Sequence, residues 1–158
     1  MNIDRCTERC RAVIRSAEVI AARFDQRGVD VEHLLSALIE QPEGLSAPLL
    51  EAAGANLAAL RASLALELQR LSQVTGPSVG SNQIFVTKRL SRVLKQAEHE
   101  VATLNDEYVS VEHLLLALVE DRIGGRLPRE QGVTLQGLIR ALHRICDRSP
   151  VAVAPPAA

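Results

Sequence analysis

Ten residues beginning at Val31, VEHLLSALIE, return eighty positions later, beginning at Val111, as VEHLLLALVE. The match is wider than this word. Displaced by 80 positions, residues 7–40 align on 87–120 without a gap, and 15 of the 34 pairs are identical. Thr7/Thr87, Arg9/Arg89, Val13/Val93, Ala17/Ala97 and Val29/Val109 are among them. After a two-residue deletion the match resumes at a displacement of 78, pairing Gly54 with Gly132, Leu57 with Leu135, Leu60 with Leu138 and Leu64 with Leu142. The chain is a tandem duplication of one unit, so its fold has to build that unit twice.

Each unit reads as four helices. In the first, Ile3, Cys6, Cys10, Val13, Ile14, Ala17, Ile20, Ala21 and Phe24 recur at three- and four-residue steps and form one apolar stripe, which Gly28 is expected to end. Asp30 caps a second helix that Pro42 and Gly44 break. A short helix around Pro48–Ala53 stops at Gly54, and Asn56 caps a fourth whose buried face carries Leu57, Leu60, Leu64, Leu68 and Leu71. The second unit repeats the plan, with caps at Thr87, Ser110 and Thr134 and a stop at Gly132. The fold class predicted is all-α, an eight-helix bundle of two tandem four-helix pseudo-repeats. One domain is expected over 1–148, with repeat one at about 4–73, a Gly/Ser/Pro-rich linker at 74–83 and repeat two at about 84–148. Residues 149–158, SPVAVAPPAA, read as a flexible tail or the start of a linker.

Composition removes several classes of function. Eighteen basic and 19 acidic residues are interspersed, giving a net charge of −1, and the only aromatics are Phe24, Phe85 and Tyr108. A nucleic-acid binder needs a basic footprint and stacking rings, and neither is present. No apolar run approaches the roughly 20 residues that cross a bilayer. The N-terminal MNIDRCTERC lacks an apolar signal core, and three cysteines make no disulfide framework, so a reducing cytoplasm is expected.

Catalytic motifs are missing too. There is no G-x-x-x-x-G-K-[ST] to cradle a nucleotide phosphate, and no H-E-x-x-H, C-x-x-C or G-x-S-x-G. No enzyme, no catalytic residue and no cofactor is predicted. The best metal constellation is Cys6 and Cys10 with His143 and Cys146, since each pair puts two ligands on one helix face. Cys6 and Cys10 lie in the apolar stripe, where a buried Cys behaves as a small hydrophobe, and no metal is predicted. His33 and His113 read as polar, partly exposed first-turn residues without a catalytic partner. Glu32 and Glu112 stand in the first turns of their helices, where a carboxylate favours the dipole by about 0.3–1 kcal/mol.

Two copies of a four-helix unit, each with EHLL opening its second helix and PLLEAAG or LPREQG before its fourth, resemble the N-terminal domain of the Hsp100/Clp chaperone ATPases. RLSQVTGPSVG and LNDEYVSVEHLLLAL make the resemblance greatest to the ClpB-type disaggregases, over roughly 1–148. The resemblance implies capture of unfolded or aggregated polypeptide and its transfer to an ATP-driven ring. It implies a non-catalytic domain, monomeric alone, within a hexameric parent. It also implies a polar site at Thr7, Asp106 and Glu112 beside an apolar groove lined by Leu94, although Gln96 and Glu100 are polar where the family's lining is apolar. Comparing the two copies adds Tyr108 to that site. Asp106 corresponds to Gln26 and Tyr108 to Gly28, so the second copy has one more carboxylate and an aromatic face.

Two alternatives stay open. A ClpC-type domain would use Glu32, Glu112, Thr7 and Thr87 to hold phosphoarginine or adaptor proteins, with Glu32 and Thr87 as the secondary site; Val31 and Val111 stand where that type has Thr. A structural module would only pack on its neighbours, with both glutamates serving the helix dipole.

Overall fold

The structure, a computed structural model, describes residues 3–75, 84–103 and 106–146. The expected tail, and all but two positions of the expected linker, lie outside the described residues. Among those described are eight α-helices: α1 (Glu8–Arg23), α2 (Val31–Glu40), α3 (Ser46–Ala52), α4 (Leu57–Thr75), α5 (Lys88–Thr103), α6 (Val111–Glu120), α7 (Arg126–Glu130) and α8 (Leu135–Cys146). The all-α reading is what the molecule is.

The caps fall where short polar side chains were expected to meet free amides. Thr7 Oγ1 accepts the Cys10 N–H at 3.2 Å, Asn56 Oδ1 that of Ala59 at 3.1 Å, Thr87 Oγ1 that of Leu90 at 3.2 Å and Thr134 Oγ1 that of Gly137 at 3.0 Å. Gly54 (φ 108°) and Gly132 (φ 86°) hold the left-handed turns after α3 and α7, at matching places in the two repeats.

Helix α1 differs from its expected bounds. A 3-10 turn at Ile3–Arg5 precedes it, and it ends at Arg23 rather than at Gly28, with Asp25 turned to φ 57°. The chain between is needed elsewhere. Gly28–Val29 (β1) pairs in parallel with Phe85–Val86 (β2), which periodicity did not reveal. A Cβ on Gly28 would lie 3.0 Å from Phe85 Cζ, a tight approach that a larger residue could make only by displacing the ring. The matching contact of the other half is a parallel bridge between Cys6 and Val109.

The two repeats are therefore laced crosswise. The strand entering α5 pairs with the turn before α2, and the segment entering α1 pairs with the turn before α6. Packing follows the same exchange: α1 lies on α2 and α6, α5 on α6 and α2, α3 on α8, and α4 on α7. The two EHLL helices, α2 and α6, touch at the centre. Leu34, Leu35, Leu38, Leu114, Leu115 and Leu118 are fully buried there. Each such side chain contributes about 1.5–3 kcal/mol relative to exposure. Leu60, Leu64 and Leu68 of α4 join the same core, with Leu57 packed partly buried against it.

Candidate functional site

Crosswise lacing brings the start of each long first helix against the start of the other repeat's second helix. The Thr7 amide donates to the Val109 carbonyl at 2.9 Å, and the Thr87 amide to the Val29 carbonyl at 3.1 Å. Two related sites result, one around Asp30–His33 with Thr87 and Arg89, the other around Asp106–His113 with Thr7.

In both, the histidine serves the helix start. The Asp30 amide donates to His33 Nδ1 at 2.9 Å, and the Ser110 amide to His113 Nδ1 at 3.0 Å. With Nδ1 accepting, the ring proton of each neutral imidazole is assigned to Nε2. The rings are buried, at 2% and 0% exposure, which corrects the expectation of partly exposed first-turn residues. His113 Nε2 has a partner in Asp106 Oδ2 at 2.8 Å, whereas His33 Nε2 is buried without one. Burial pushes the His33 pKa down, with the Asp30 charge opposing.

Ser110, His113 and Asp106 form a connected chain, with Ser110 Oγ 2.8 Å from His113 Nδ1. It is a cap and not a nucleophile. The imidazole lone pair already accepts a backbone amide, and the Ser110 hydroxyl donates to Glu112 Oε2 at 2.5 Å. Both Ser110 and His113 are also buried.

The sites differ in charge. At the first, Arg89 reaches back from α5. Its Nη2 lies 2.5 Å from Asp30 Oδ2 and 3.3 Å from Glu32 Oε1, and Thr87 Oγ1 donates to Asp30 Oδ1 at 3.0 Å. Glu32 is buried under this lid, and burial followed by the Asp30 charge pushes its pKa above the usual carboxylate range. Asp30, chiefly through its hydrogen bonds, raises the pKa of Arg89 in turn.

At the second site the equivalent arginine is absent. Arg9, the counterpart of Arg89, donates to the Glu43 carbonyl at 3.4 Å, and the cap is Ser110 where the first site has Asp30. Among the described residues no lysine or arginine pairs with Glu112, which is half-buried. Asp106 bonds a neutral ring, and Tyr108 is half-buried two residues along. This arrangement presents negative charge, and it offers a hydroxyl-held carboxylate to an incoming cation.

Of the residues singled out from sequence, Thr7, Asp106, Tyr108 and Glu112 gather around the start of α6, and Glu32 and Thr87 around the start of α2. Leu94 sits on α5, which packs against α6, but it is in the core at 8% exposure. Cys6 and Cys10 are buried and hydrogen-bonded to each other, which with burial pushes the Cys10 thiol up. His143 is exposed on α8, and the Cys146 side chain lies outside the described residues. Among the described residues no three His, Cys, Asp or Glu side chains assemble around a metal-sized space. Sequence reasoning missed Arg89 as a site residue. The signal was available: Arg9 and Arg89 match, while the caps they would meet, Ser110 and Asp30, do not.

Comparison with known proteins gives the family and the fold. The Clp repeat (R) N-terminal domain family matches residues 5–131. The chaperone protein ClpB of Nitratidesulfovibrio vulgaris is 37% identical over 159 residues, covering 99% of this chain; the chain spans 18% of that protein's length. Two solved structures are similar in fold. The N-terminal domain of Hsp104 from Candida albicans has a TM-score of 0.75 at 21% identity, covering 93% of this chain and 95% of that one. That of the caseinolytic protease-associated chaperone ClpD from Arabidopsis thaliana has 0.61 at 22% identity, covering 90% and 99%.

Proposed function

The chain belongs to the Clp repeat N-terminal domain family as a ClpB-type domain, and from that premise we propose that it captures unfolded or aggregated polypeptide at the start of α6. The domain is not itself an enzyme. It holds a client near a larger, ring-forming ATPase in the cytoplasm and raises its local concentration there. Among the described residues no single helix is long and apolar enough to cross a membrane.

One observation carries the reading. Two glutamates stand in identical register, but Arg89 covers Glu32 and no described cation covers Glu112. Glu112 therefore accepts a charge from outside the chain. The preferred ligand is an apolar segment flanked by Lys or Arg, bound by Thr7, Asp106, Tyr108 and Glu112, with Leu94 beneath. Ordering an unfolded ligand costs entropy, so Kd is in the micromolar range or weaker, about −8 kcal/mol or less favourable.

The test is an amide-shift titration of the domain with a Lys-flanked apolar peptide. Shifts cluster at residues 106–113 and around Thr7, and Glu112→Ala weakens binding without lowering the melting temperature by more than a few degrees. Shifts centred on Glu32 and Thr87, or competition by free phosphoarginine at both glutamates, would establish the adaptor-docking reading instead.

A further inference from the structure

The first repeat carries a groove of about 740 Å3 between α1, α2 and α4, and none of the residues around Glu112 lines it. Ile20, Ala37, Leu64 and Leu68 form its buried floor, and Phe24 is half-buried among them. Val19 stands on its wall at 53% exposure. The rim is cationic. Arg61 is tied to Glu40 at 3.4 Å, whereas Arg15 and Arg23 are exposed and have no ion-pair partner among the described residues.

The duplicated half does not repeat this surface. Ser16, Ile20 and Glu40 correspond to Gln96, Glu100 and Glu120. There, Gln96 Nε2 donates to Glu100 Oε1 at 3.0 Å and to Glu120 Oε2 at 3.4 Å. Glu100 thus puts a carboxylate in the second copy where Ile20 forms the apolar floor of the first, and Glu120, which matches Glu40, is held by Gln96 and not by an arginine.

We propose that the groove of the first repeat docks an apolar segment of polypeptide flanked on both sides by Asp or Glu. Arg15 and Arg23 are eight residues apart on one helix, a rise of about 12 Å. An extended stretch of about four residues spans that distance. Four apolar residues thus cover Val19 and Phe24 while a carboxylate at each end reaches a guanidinium, the geometry that arginine recognises best. The domain then has two docking surfaces of opposite sign. The inference shares with the proposed function only the premise that the ligand is polypeptide; its site and charge preference are separate.

The experiment is fluorescence anisotropy on the full chain with a labelled Asp-Asp-Leu-Leu-Phe-Leu-Glu-Glu peptide and its Lys-flanked twin. The acidic peptide binds saturably. The double variant R15E/R23E weakens it by about tenfold or more, since charge reversal at a rim acts on both attraction and encounter. Val19→Asp also weakens it, and Glu112→Ala leaves it unchanged. All four positions are exposed at least in part, and unchanged melting curves verify that the variants fold. Equal binding of the Lys-flanked twin to this groove, an unchanged affinity in R15E/R23E, or self-association abolished by Val19→Asp would each overturn the proposal. Loss of acidic-peptide binding with Lys-flanked binding intact at Glu112 overturns it alone; absence of both kinds of binding overturns polypeptide capture as well.

Discussion

Arg89 clasps Asp30 across the boundary between the two repeats, with Nη2 2.5 Å from Oδ2 and Nε 3.1 Å from Oδ1. The pair joins a cap residue of one half to the first turn of a helix of the other. Removing Arg89 leaves Asp30 and Glu32 facing each other with no cation. Arg89→Ala is expected to cost about 2 kcal/mol, less than a fully buried pair would because the guanidinium is 32% exposed. Urea denaturation measures it. The same variant should uncover a second Lys-flanked peptide site, seen as new amide shifts at Glu32 and Thr87. No new shifts would mean that Arg89 is a strut and not a lid.

His33 lacks the partner that His113 has. The turn that positions Asp106 is already present in the first repeat, since Gln26 N–H bonds Ala21 C=O as Asp106 N–H bonds Val101 C=O, both at 2.9 Å. Gln26→Asp should place a carboxylate on His33 Nε2 and stabilise the domain by about 1 kcal/mol. Conversely, Asp106→Ala strands a buried N–H and should cost about 1–3 kcal/mol. Thermal unfolding of both variants checks the pair, and a destabilised Gln26→Asp would show that the two turns are not equivalent.

Glu32 makes stability depend on pH in a definite direction. Its pKa is raised in the folded state, so the native protein binds the proton more tightly than the unfolded chain, whose carboxyl titrates near 4.5. Stability from this group is greatest below that value and declines as pH rises through the folded pKa. Glu32→Gln should therefore gain stability relative to the parent between pH 4.5 and neutrality. Melting temperatures of the two proteins across that range decide it. A relative loss with rising pH would mean that Arg89 more than offsets the burial.

The halves should not stand alone. A chain ending at residue 75 loses the β1–β2 pairing, the α3–α8 and α2–α6 contacts, and the ion pair of Arg126 with Glu67 at 3.0 Å. Each half also buries a smaller fraction of its surface. Circular dichroism melting of residues 1–75 and of 84–158 should show broad, low transitions that sharpen on mixing. A cooperative melt of either half at the full-length temperature would make the repeats independent.

Much of this was legible in the residues, for a physical reason. Leu34, Leu38, Leu60, Leu64 and their counterparts recur with the helical period because one face of each helix must leave water, and Asp30, Asn56, Thr87 and Thr134 mark helix starts because free amides need acceptors there. Such signals are local. Arg89 meeting Asp30, or Phe85 lying over Gly28, joins segments nearly sixty positions apart through two-residue strands, which are too short to show alternation. The burial of His33 and His113 was hidden for a related reason. A histidine in a first turn looks exposed until the neighbouring half is laid over it.

The crosswise lacing also sets the order in which the molecule can form. Arg5 donates to the carbonyl of Glu107, 102 positions away, and Val109 N–H bonds the Arg5 carbonyl. Closing so long a loop is an entropic toll that rises by about 0.6 kcal/mol with each doubling of its length. During synthesis the entry to α1 must therefore wait until the chain has been made at least as far as Val109, well into the second copy. Helices can flicker in and out early, but the contacts that gather Thr7, Asp106 and Glu112 arrive late, so this domain should fold more slowly than an up-and-down helical bundle of its size.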